Sequence, residues 1–262
     1  GYSVQKALEL FSVERDEGYL NRCCENYPTH ELGPIAKLLD INRGNRIMTV
    51  SSFASKSAGL SEYIKTRVDA TDEMKAANFA QGDIITTVLT CARGETILLR
   101  LDTTLPRSYS RDFTVRGTKG LYMQDTNSVF LDGDEESFEP VEYYKKALNN
   151  AVKFEDEYLP GIWKNVTEET LKAGHGGMDW FAYMGFTDAL INGEEMPVDV
   201  YDAATWQAVA VLSEMSIKQG GAPQIMPDFT NGKWTMRSDI SNNAYTLDRI
   251  DNGADLYFVD RV

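Results

Sequence analysis

The chain has 262 residues, of which 42% are hydrophobic and 25% are charged. This composition is typical of a globular protein with a substantial core, and it excludes disordered, collagen-like and disulfide-scaffold proteins. The net charge of -14 argues against nucleic acid or an anionic membrane as a partner, because both would repel the chain and no basic run offsets the charge. Apolar stretches such as 205–211 are far shorter than the roughly 20 residues of a membrane span, and no signal peptide is visible. We therefore expect a soluble protein in the cytoplasm.

The three cysteines are Cys23, Cys24 and Cys91. Their number is odd and no CxxC spacing occurs, so the sequence predicts free thiols or a reducing compartment and no zinc site.

The first clear element is a helix that begins at Thr29 and ends near residue 40. Thr29 is the predicted N-cap, and Glu31 favours the positive end of the helix dipole. Apolar residues recur at helical spacing and predict one buried face: Leu32, Ile35, Ala36, Leu38 and Leu39. Gly44 permits the turn that follows.

A region rich in β-branched and aromatic residues comes next and predicts strands. The later half of the chain is predicted to be helical. The predicted strands cover 47–53, 83–92, 96–104, 110–117 and 120–131, and the predicted helices cover 141–154, 179–192 and 200–219. Residues 93–95 form the expected turn of an antiparallel hairpin. The order predicts one α+β domain over 1–262, with a large, mostly antiparallel open sheet and helices packed on one face.

The sequence has no alternating βαβ series and no GxGxxG turn after an early strand. We therefore predict that this chain contains no Rossmann domain. Any dinucleotide chemistry needs residues from outside the chain.

The chain has only two histidines, and each lies in a short motif. Tyr27 and His30 are three residues apart across a proline, where the chain enters the first helix. A phenol and an imidazole at a helix N-terminus can handle protons, because the helix dipole favours the neutral imidazole base. The alternative is that His30 only packs or caps.

His175 lies between glycines, ahead of a helix that Asp179 could cap. Glycines allow a backbone to approach a ligand closely, but a plain flexible turn explains the same pattern equally well. Arg107 and Tyr109 lie between two predicted strands, where they could bind sugar hydroxyls or form an ordinary solvated hairpin.

Five ordered motifs together resemble one family. They are Asn-Tyr-Pro-Thr-His at 26–30 with Leu-Gly-Pro at 32–34 and Asn-Arg-Gly at 42–44; Pro-Arg-Ser-Tyr-Ser-Arg at 106–111 with Gly-Thr-Lys-Gly at 117–120; Gly-His-Gly-Gly-Met-Asp at 174–179; Val-Tyr-Asp-Ala-Ala at 200–204; and Ile-Met-Pro-Asp-Phe at 225–229. The chain resembles the C-terminal domain of glycoside hydrolase family 109 proteins, a branch of the glucose-fructose oxidoreductase, inositol dehydrogenase and MocA-like superfamily.

The resemblance implies a two-domain NAD enzyme whose N-terminal Rossmann domain, which this chain lacks, holds the cofactor. It further implies glycosidase action on α-N-acetylgalactosaminides by transient oxidation at C3, elimination, water addition and re-reduction. Such chemistry departs from the usual pair of carboxylates. Without a hydride acceptor, we expect the isolated chain to be inactive.

The resemblance also assigns roles to single residues. It implies that His30 takes the C3 hydroxyl proton while Tyr27 positions that hydroxyl or assists the transfer. Tyr109 is expected at the sugar, with Arg107, His175 and Arg15 as further substrate-binding candidates. No metal ligand is expected.

Three functions remain open at this stage. Sugar or polyol dehydrogenases of the same superfamily commonly carry an aspartate four residues before the histidine, where this chain has Asn26, and this favours the glycosidase. A non-catalytic carbohydrate-binding or dimerisation module is the third. We expect a sugar or glycoside as substrate, and a homodimer or higher homo-oligomer formed through the sheet face.

Overall fold

A computed structural model describes residues 16–102, 104–133, 140–237 and 245 of the chain. The chain divides into two compact units, which we call the first unit (1–109 and 200–239) and the second unit (110–199 and 240–262). Compact units can belong to one evolutionary domain, so the single domain over 1–262 stays a prediction.

The helices and strands of both units are given in chain order. They are α1 Asp16–Asn21, α2 Pro28–Leu38, β1 Ile47–Ala54, α3 Gly59–Lys65, α4 Asp72–Ala76, β2 Ile84–Cys91, β3 Thr96–Asp102, β4 Thr114–Arg116, β5 Gly120–Met123, β6 Ser128–Leu131, α5 Pro140–Ala147, a 3-10 helix Asn150–Phe154, α6 Glu155–Tyr158, α7 Gly161–Lys164, α8 Glu168–Leu171, a 3-10 helix His175–Gly177, α9 Met178–Asn192, α10 Val200–Lys218, β7 Gln224–Ile225 and a 3-10 helix Lys233–Thr235.

The first unit is built on a four-stranded sheet in the order β3-β2-β1-β7. All three pairings are antiparallel. The hairpin predicted at residues 93–95 joins β2 to β3, and the Gly94 amide donates to the Cys91 carbonyl over 3.1 Å. Gly94 has a φ of 99°, which glycine adopts without a steric penalty.

One face of this sheet packs against α2 and α10. Side chains of β2 alternate between buried and half-buried positions, which is the period of a strand with one covered face. The buried core comprises Leu32, Ala36, Ile41, Ile47, Val50, Leu89, Cys91, Ile97, Leu99, Val209, Leu212 and Met226. The α+β class, with antiparallel open sheets and helices on one face, is therefore confirmed.

The second unit has its own three-stranded antiparallel sheet in the order β4-β5-β6. The single strand predicted over 120–131 is wrong, because the chain turns back between Met123 and Ser128 and Asn127 takes a φ of 46°. The strand predicted over 110–117 is shorter and covers only Thr114–Arg116. The strands are thus divided between two sheets.

The helix predicted over 141–154 is also interrupted. α5 ends at Ala147, and Asn149 takes a left-handed φ of 59° before the 3-10 helix begins. The Asn150 side chain then bonds both backbone groups of Val129 at 2.7 Å. A side chain that pairs with the strand backbone competes with a continuous helix at this point.

The helices predicted over 179–192 and 200–219 are confirmed as α9 and α10 to within one residue. Within the part of the chain that the structure describes, no helix combines the length and apolarity that a membrane crossing requires.

Candidate functional site

The Tyr27–His30 motif forms the entrance to α2. Pro28 is the first helical residue, a position that suits proline because its amide would have no partner there. Tyr27 occupies the N-cap position without a side-chain capping bond, so the predicted Thr29 cap is wrong. Leu38 is also 39% exposed, so only part of the predicted apolar face is buried.

The rings of Tyr27 and His30 lie against each other. Their centroids are 4.7 Å apart and their planes differ by 18°, which is the geometry of a stacked pair. Both residues are exposed. The stack orients the phenol and the imidazole beside each other on an open surface, where they can reach the hydroxyl groups of a ligand.

The segment ahead of this stack is held by buried hydrogen bonds. The Gln81 side chain bonds both backbone groups of Cys24, at 3.0 and 2.9 Å. The Glu25 amide donates to Ser213 Oγ on α10 over 2.8 Å. The backbone that leads into Tyr27 is therefore fixed by partners from distant parts of the first unit.

The fully buried Glu25 and the half-buried Glu31 lie on either side of the Tyr27–His30 motif in the chain, and sequence reasoning missed both as site residues. Glu25 is fully buried, and burial together with the nearby Glu31 charge raises its pKa to about 8. Burial raises the pKa of Glu31 to about 7, while Arg107 opposes that shift. A carboxyl group that titrates near neutral pH beside an imidazole is a recognised sign of a functional site.

The positive charge of Arg107 acts on Glu31, in the first turn of α2, and favours its charged form. Its Nε and Nη2 atoms donate to the Asp102 carbonyl over 2.9 and 2.6 Å, and Nη1 donates to the Ser108 carbonyl over 3.1 Å. Arg107 therefore folds back on its own loop. Its role in binding a sugar stays a prediction.

Tyr109 is 67% exposed, so its phenol is accessible to a ligand. Its place at the sugar stays a prediction. Arg15 lies outside the described residues.

His175 lies in the second unit. Its Nδ1 atom is 2.8 Å from Asp179 Oδ2, and the two side chains are 74% and 58% exposed. The predicted Asp179 cap is wrong, because Gly177 takes the N-cap position of α9. Gly174, with a φ of 87°, has no Cβ to collide with the Asp179 carboxylate. The glycines thus accommodate this local pair, and a pocket role for His175 stays a prediction.

Two further motifs meet in the core of the first unit. Arg43 binds Asp202 through two parallel bonds of 2.8 Å each, a geometry that matches a guanidinium to a carboxylate. Asn42 joins this pair by donating to Asp202 Oδ1 and Thr205 Oγ1. These motifs are far apart in sequence and serve to lock α10 to the turn after α2.

With this geometry in place, we compared the chain with known proteins. The model of the glycosyl hydrolase 109 C-terminal domain matches residues 7–236. The chain belongs to glycosyl hydrolase family 109. The resemblance inferred from the five motifs is therefore confirmed.

Several curated relatives of this family 109 chain share its sequence over most of its length. A protein of Stenotrophomonas maltophilia (strain K279a), named as a glycosyl hydrolase family 109 protein, is 42% identical over 86% of the chain and 48% of its own length. An alpha-N-acetylgalactosaminidase of Tannerella forsythia is 38% identical over 85% of the chain and 46% of its own length. An alpha-N-acetylgalactosaminidase of Shewanella oneidensis (strain ATCC 700550 / JCM 31522 / CIP 106686 / LMG 19005 / NCIMB 14063 / MR-1) is 34% identical over 79% and 45%.

The family 109 chain thus spans about half the length of the curated relatives it matches. Among the described residues, no group of three or more histidine, cysteine or acidic side chains could hold a metal ion. Cys23, Cys24 and Cys91 are free thiols, as the sequence predicts.

Proposed function

We propose that this chain is the substrate-binding half of an NAD-dependent glycosidase that acts on α-N-acetylgalactosaminides. The observation that carries the proposal is the exposed stack of Tyr27 and His30, whose rings are 4.7 Å apart. The names of two relatives, both alpha-N-acetylgalactosaminidases, support the choice of sugar. The family 109 membership supports glycoside hydrolysis as the reaction class.

The stack offers two distinct proton-handling groups. The imidazole of His30 accepts the proton of a sugar hydroxyl, because a neutral ring nitrogen is a base near neutral pH. The phenol of Tyr27 donates a hydrogen bond to the same hydroxyl oxygen or to its neighbour and so orients it. Stacking limits the rotation of both rings, so the hydroxyl meets a preformed pair of groups.

The described residues fit the substrate side of NAD chemistry and not the dinucleotide itself. Every strand pairing in the two sheets is antiparallel, whereas a dinucleotide fold needs parallel βαβ units. NAD, when bound, supplies the hydride acceptor that the side chains of this chain cannot supply. We therefore place NAD on residues outside this chain and propose that the isolated chain is inactive.

The test uses the complete protein, in which this domain is joined to the half that its relatives have in addition. An aryl α-N-acetylgalactosaminide should release its aglycone continuously without net formation of NADH. Stoichiometric NADH formation from a free sugar, with no aglycone release, would instead identify a sugar or polyol dehydrogenase. A complete protein that binds sugar but neither binds NAD nor turns over either substrate would identify a non-catalytic module.

We further propose that a second copy of this chain covers the outer face of the four-stranded sheet. Leu98 is 64% exposed, Phe53 is 55% exposed and Ile225 is 78% exposed on this face. Leu98 pairs with Val88, which pairs with Ser51 across β1. Arg100 and Asp102, which have opposite charges, are the two charged residues at the outward positions of β1, β2, β3 and β7. In a chain of net charge -14, a nearly uncharged face is where two copies can meet without strong repulsion.

Analytical ultracentrifugation of Leu98→Asp tests this surface. We expect the wild-type chain to be a dimer or larger and Leu98→Asp to shift towards the monomer, because a buried unpaired charge opposes association. Leu190→Asp is the matched control, since Leu190 on α9 is 63% exposed. A monomeric wild type, or equal effects of the two variants, would contradict the proposal.

A further inference from the structure

Two carboxyl groups lie at the entrance to α2: Glu25 just ahead of the helix, and the half-buried Glu31 in its first turn. Glu25 is fully buried, and its Oε1 atom accepts a hydrogen bond from the Tyr27 amide over 3.4 Å. Its Oε2 atom and the Oε2 atom of Glu31 are both buried and have no hydrogen-bond partner among the described residues. Two carboxylates that each bury an unsatisfied oxygen are costly, so at least one of the two carboxyl groups is protonated.

The surroundings decide which of the two carries that proton. Arg107 favours the charged form of Glu31, while Glu31 disfavours the charged form of Glu25. No cation acts on Glu25 among the causes of its shift, whose leading cause is burial. Like charges in one buried place cannot both persist, so the proton belongs on Glu25 and the negative charge on Glu31.

We propose that Glu25 is a positioning residue of the Tyr27–His30 stack, and that it acts as a neutral carboxylic acid while Glu31 carries the negative charge. The inference rests on the proposed function, because it assigns the stack a reaction to perform. Glu25 touches the Tyr27 backbone and not the substrate. Glu25 positions Tyr27, the N-cap residue of α2, and with it the phenol ring that stacks on His30.

The other groups around Glu25 are consistent with a neutral side chain. From α10, the Ser213 hydroxyl accepts from the Glu25 amide and donates to the Ala210 carbonyl. Burial raises the pKa of the adjacent Cys24 thiol to about 11, so that side chain is also uncharged at neutral pH.

An ion pair between residues adjacent in sequence to this segment and to Ser213 joins Arg22 and Glu214 at 2.6 Å. Lys218 also binds Glu214, at 2.7 Å. Both cations are thus engaged with Glu214, at the exposed rim of the unit.

Ionisation of Glu25 therefore puts a second buried negative charge beside Glu31. The Tyr27 amide is the one group that favours the charged form, and a bond of 3.4 Å is too long to stabilise a buried charge strongly. We expect the segment around Glu25 to shift as the pH rises through about 8, which disturbs the stack and slows the reaction.

The activity test compares Glu25→Gln with Glu25→Ala in the complete protein. Glutamine copies the neutral acid, so we expect near wild-type kcat and KM at pH 7 and no fall in kcat above pH 8, where wild-type kcat declines. Alanine removes both the acceptor of the Tyr27 amide and the buried volume of the Glu25 side chain, and we expect kcat to fall roughly tenfold to a hundredfold, with a smaller change in KM. Glu73→Gln, an exposed control on α4, should leave the pH profile unchanged. Equal losses in Glu25→Gln and Glu25→Ala at pH 7 would overturn the proposal.

A second arm requires no activity and separates this proposal from the proposed function. A carboxyl group whose pKa is raised in the folded state binds its proton more tightly there than in the unfolded chain. The stability it contributes is therefore present at low pH and is lost as the pH rises from the ordinary glutamate value towards about 8.

We expect the urea midpoint of the wild-type chain to fall between pH 5 and 8, and that of Glu25→Gln to fall less steeply. The same dependence of the urea midpoint on pH in both proteins would overturn the assignment of a neutral carboxylic acid to Glu25, even if the glycosidase activity were established. Conversely, a flatter slope in Glu25→Gln together with no glycosidase activity would support the neutral Glu25 and reject the proposed function.

Discussion

Two motifs that carry the family resemblance have opposite physical characters. Arg43 and Asp202 are joined by two bonds of 2.8 Å, with 15% and 4% of their side chains exposed. Tyr27 and His30 are exposed, and their rings stack on each other. Both pairs lie in motifs that carry the family resemblance, but the polar groups of one are bonded inside the core, whereas the side chains of the other are exposed. A motif therefore identifies a relative, while burial and bonding indicate whether its residues stabilise the fold or act on a ligand.

The largest effect is expected when the buried Arg43–Asp202 pair is broken. Asp202→Ala leaves the guanidinium of Arg43 and the amide of Asn42 without their shared acceptor, and we expect a loss of about 3–5 kcal/mol in the free energy of unfolding. Urea unfolding of the purified chain measures it. Asp69→Ala is the control, because the Arg67–Asp69 pair is exposed and solvent screens it. Equal and small losses in both variants would show that Arg43 and Asp202 do not lock the fold.

The exposed side is tested by His30→Ala. We expect turnover by the complete protein to fall about 10²–10⁴-fold, the usual contribution of a general base. The free energy of unfolding should change by less than about 1 kcal/mol, because surface substitutions seldom change it more. Steady-state kinetics and urea unfolding of the same preparation provide both numbers. Loss of stability in parallel with activity would show that His30 stabilises the fold.

Tyr27→Phe sharpens the account of the stack. Phenylalanine keeps the ring against His30 and removes only the hydroxyl, so we expect kcat/KM to fall about tenfold, the value of one hydrogen bond. Tyr27→Leu removes both the hydroxyl and the aromatic ring and should cost more. If phenylalanine and leucine were equivalent, the ring stacking would have no part in positioning.

The smallest effect is expected at His175. The pair it forms with Asp179 is exposed on both sides, so His175→Ala should change the free energy of unfolding by less than about 1 kcal/mol, and by less still in high salt. A loss comparable with that of Asp202→Ala would show that the loop at 174–177 stabilises the second unit.

Much of the fold follows from local sequence patterns. The strands β1, β2 and β3 are long enough to show strand alternation, glycines follow the long helices α9 and α10 closely, and Gly94 marks the hairpin. The breaks at Asn127 and Asn149 depend on asparagine in left-handed conformations. Asparagine adopts this conformation in turns but does not require it, so the sequence alone does not show where these elements divide.

The candidate site is predictable only in part. Tyr27 and His30 stand out because a Tyr-Pro-Thr-His motif and a rare histidine coincide. Glu25 gives no such signal, since it is buried by the tertiary fold and its amide is bonded to Ser213, a residue 188 positions away. From the sequence, Glu31 is only an acidic residue that favours the first turn of α2. Its partial burial likewise comes from the tertiary fold. The titrating carboxyl pair is thus a property of packing, which periodicity does not reveal.

The measurement that tests the central proposal most directly is the hydrolysis of an aryl α-N-acetylgalactosaminide by the complete protein in D₂O. Elimination and water addition remove the proton at C2 and return one from solvent, so the released sugar should carry deuterium on that carbon. His30→Ala should release little labelled sugar. Rapid aglycone release with no deuterium at C2 would contradict the account, because direct displacement of the aglycone leaves that carbon untouched.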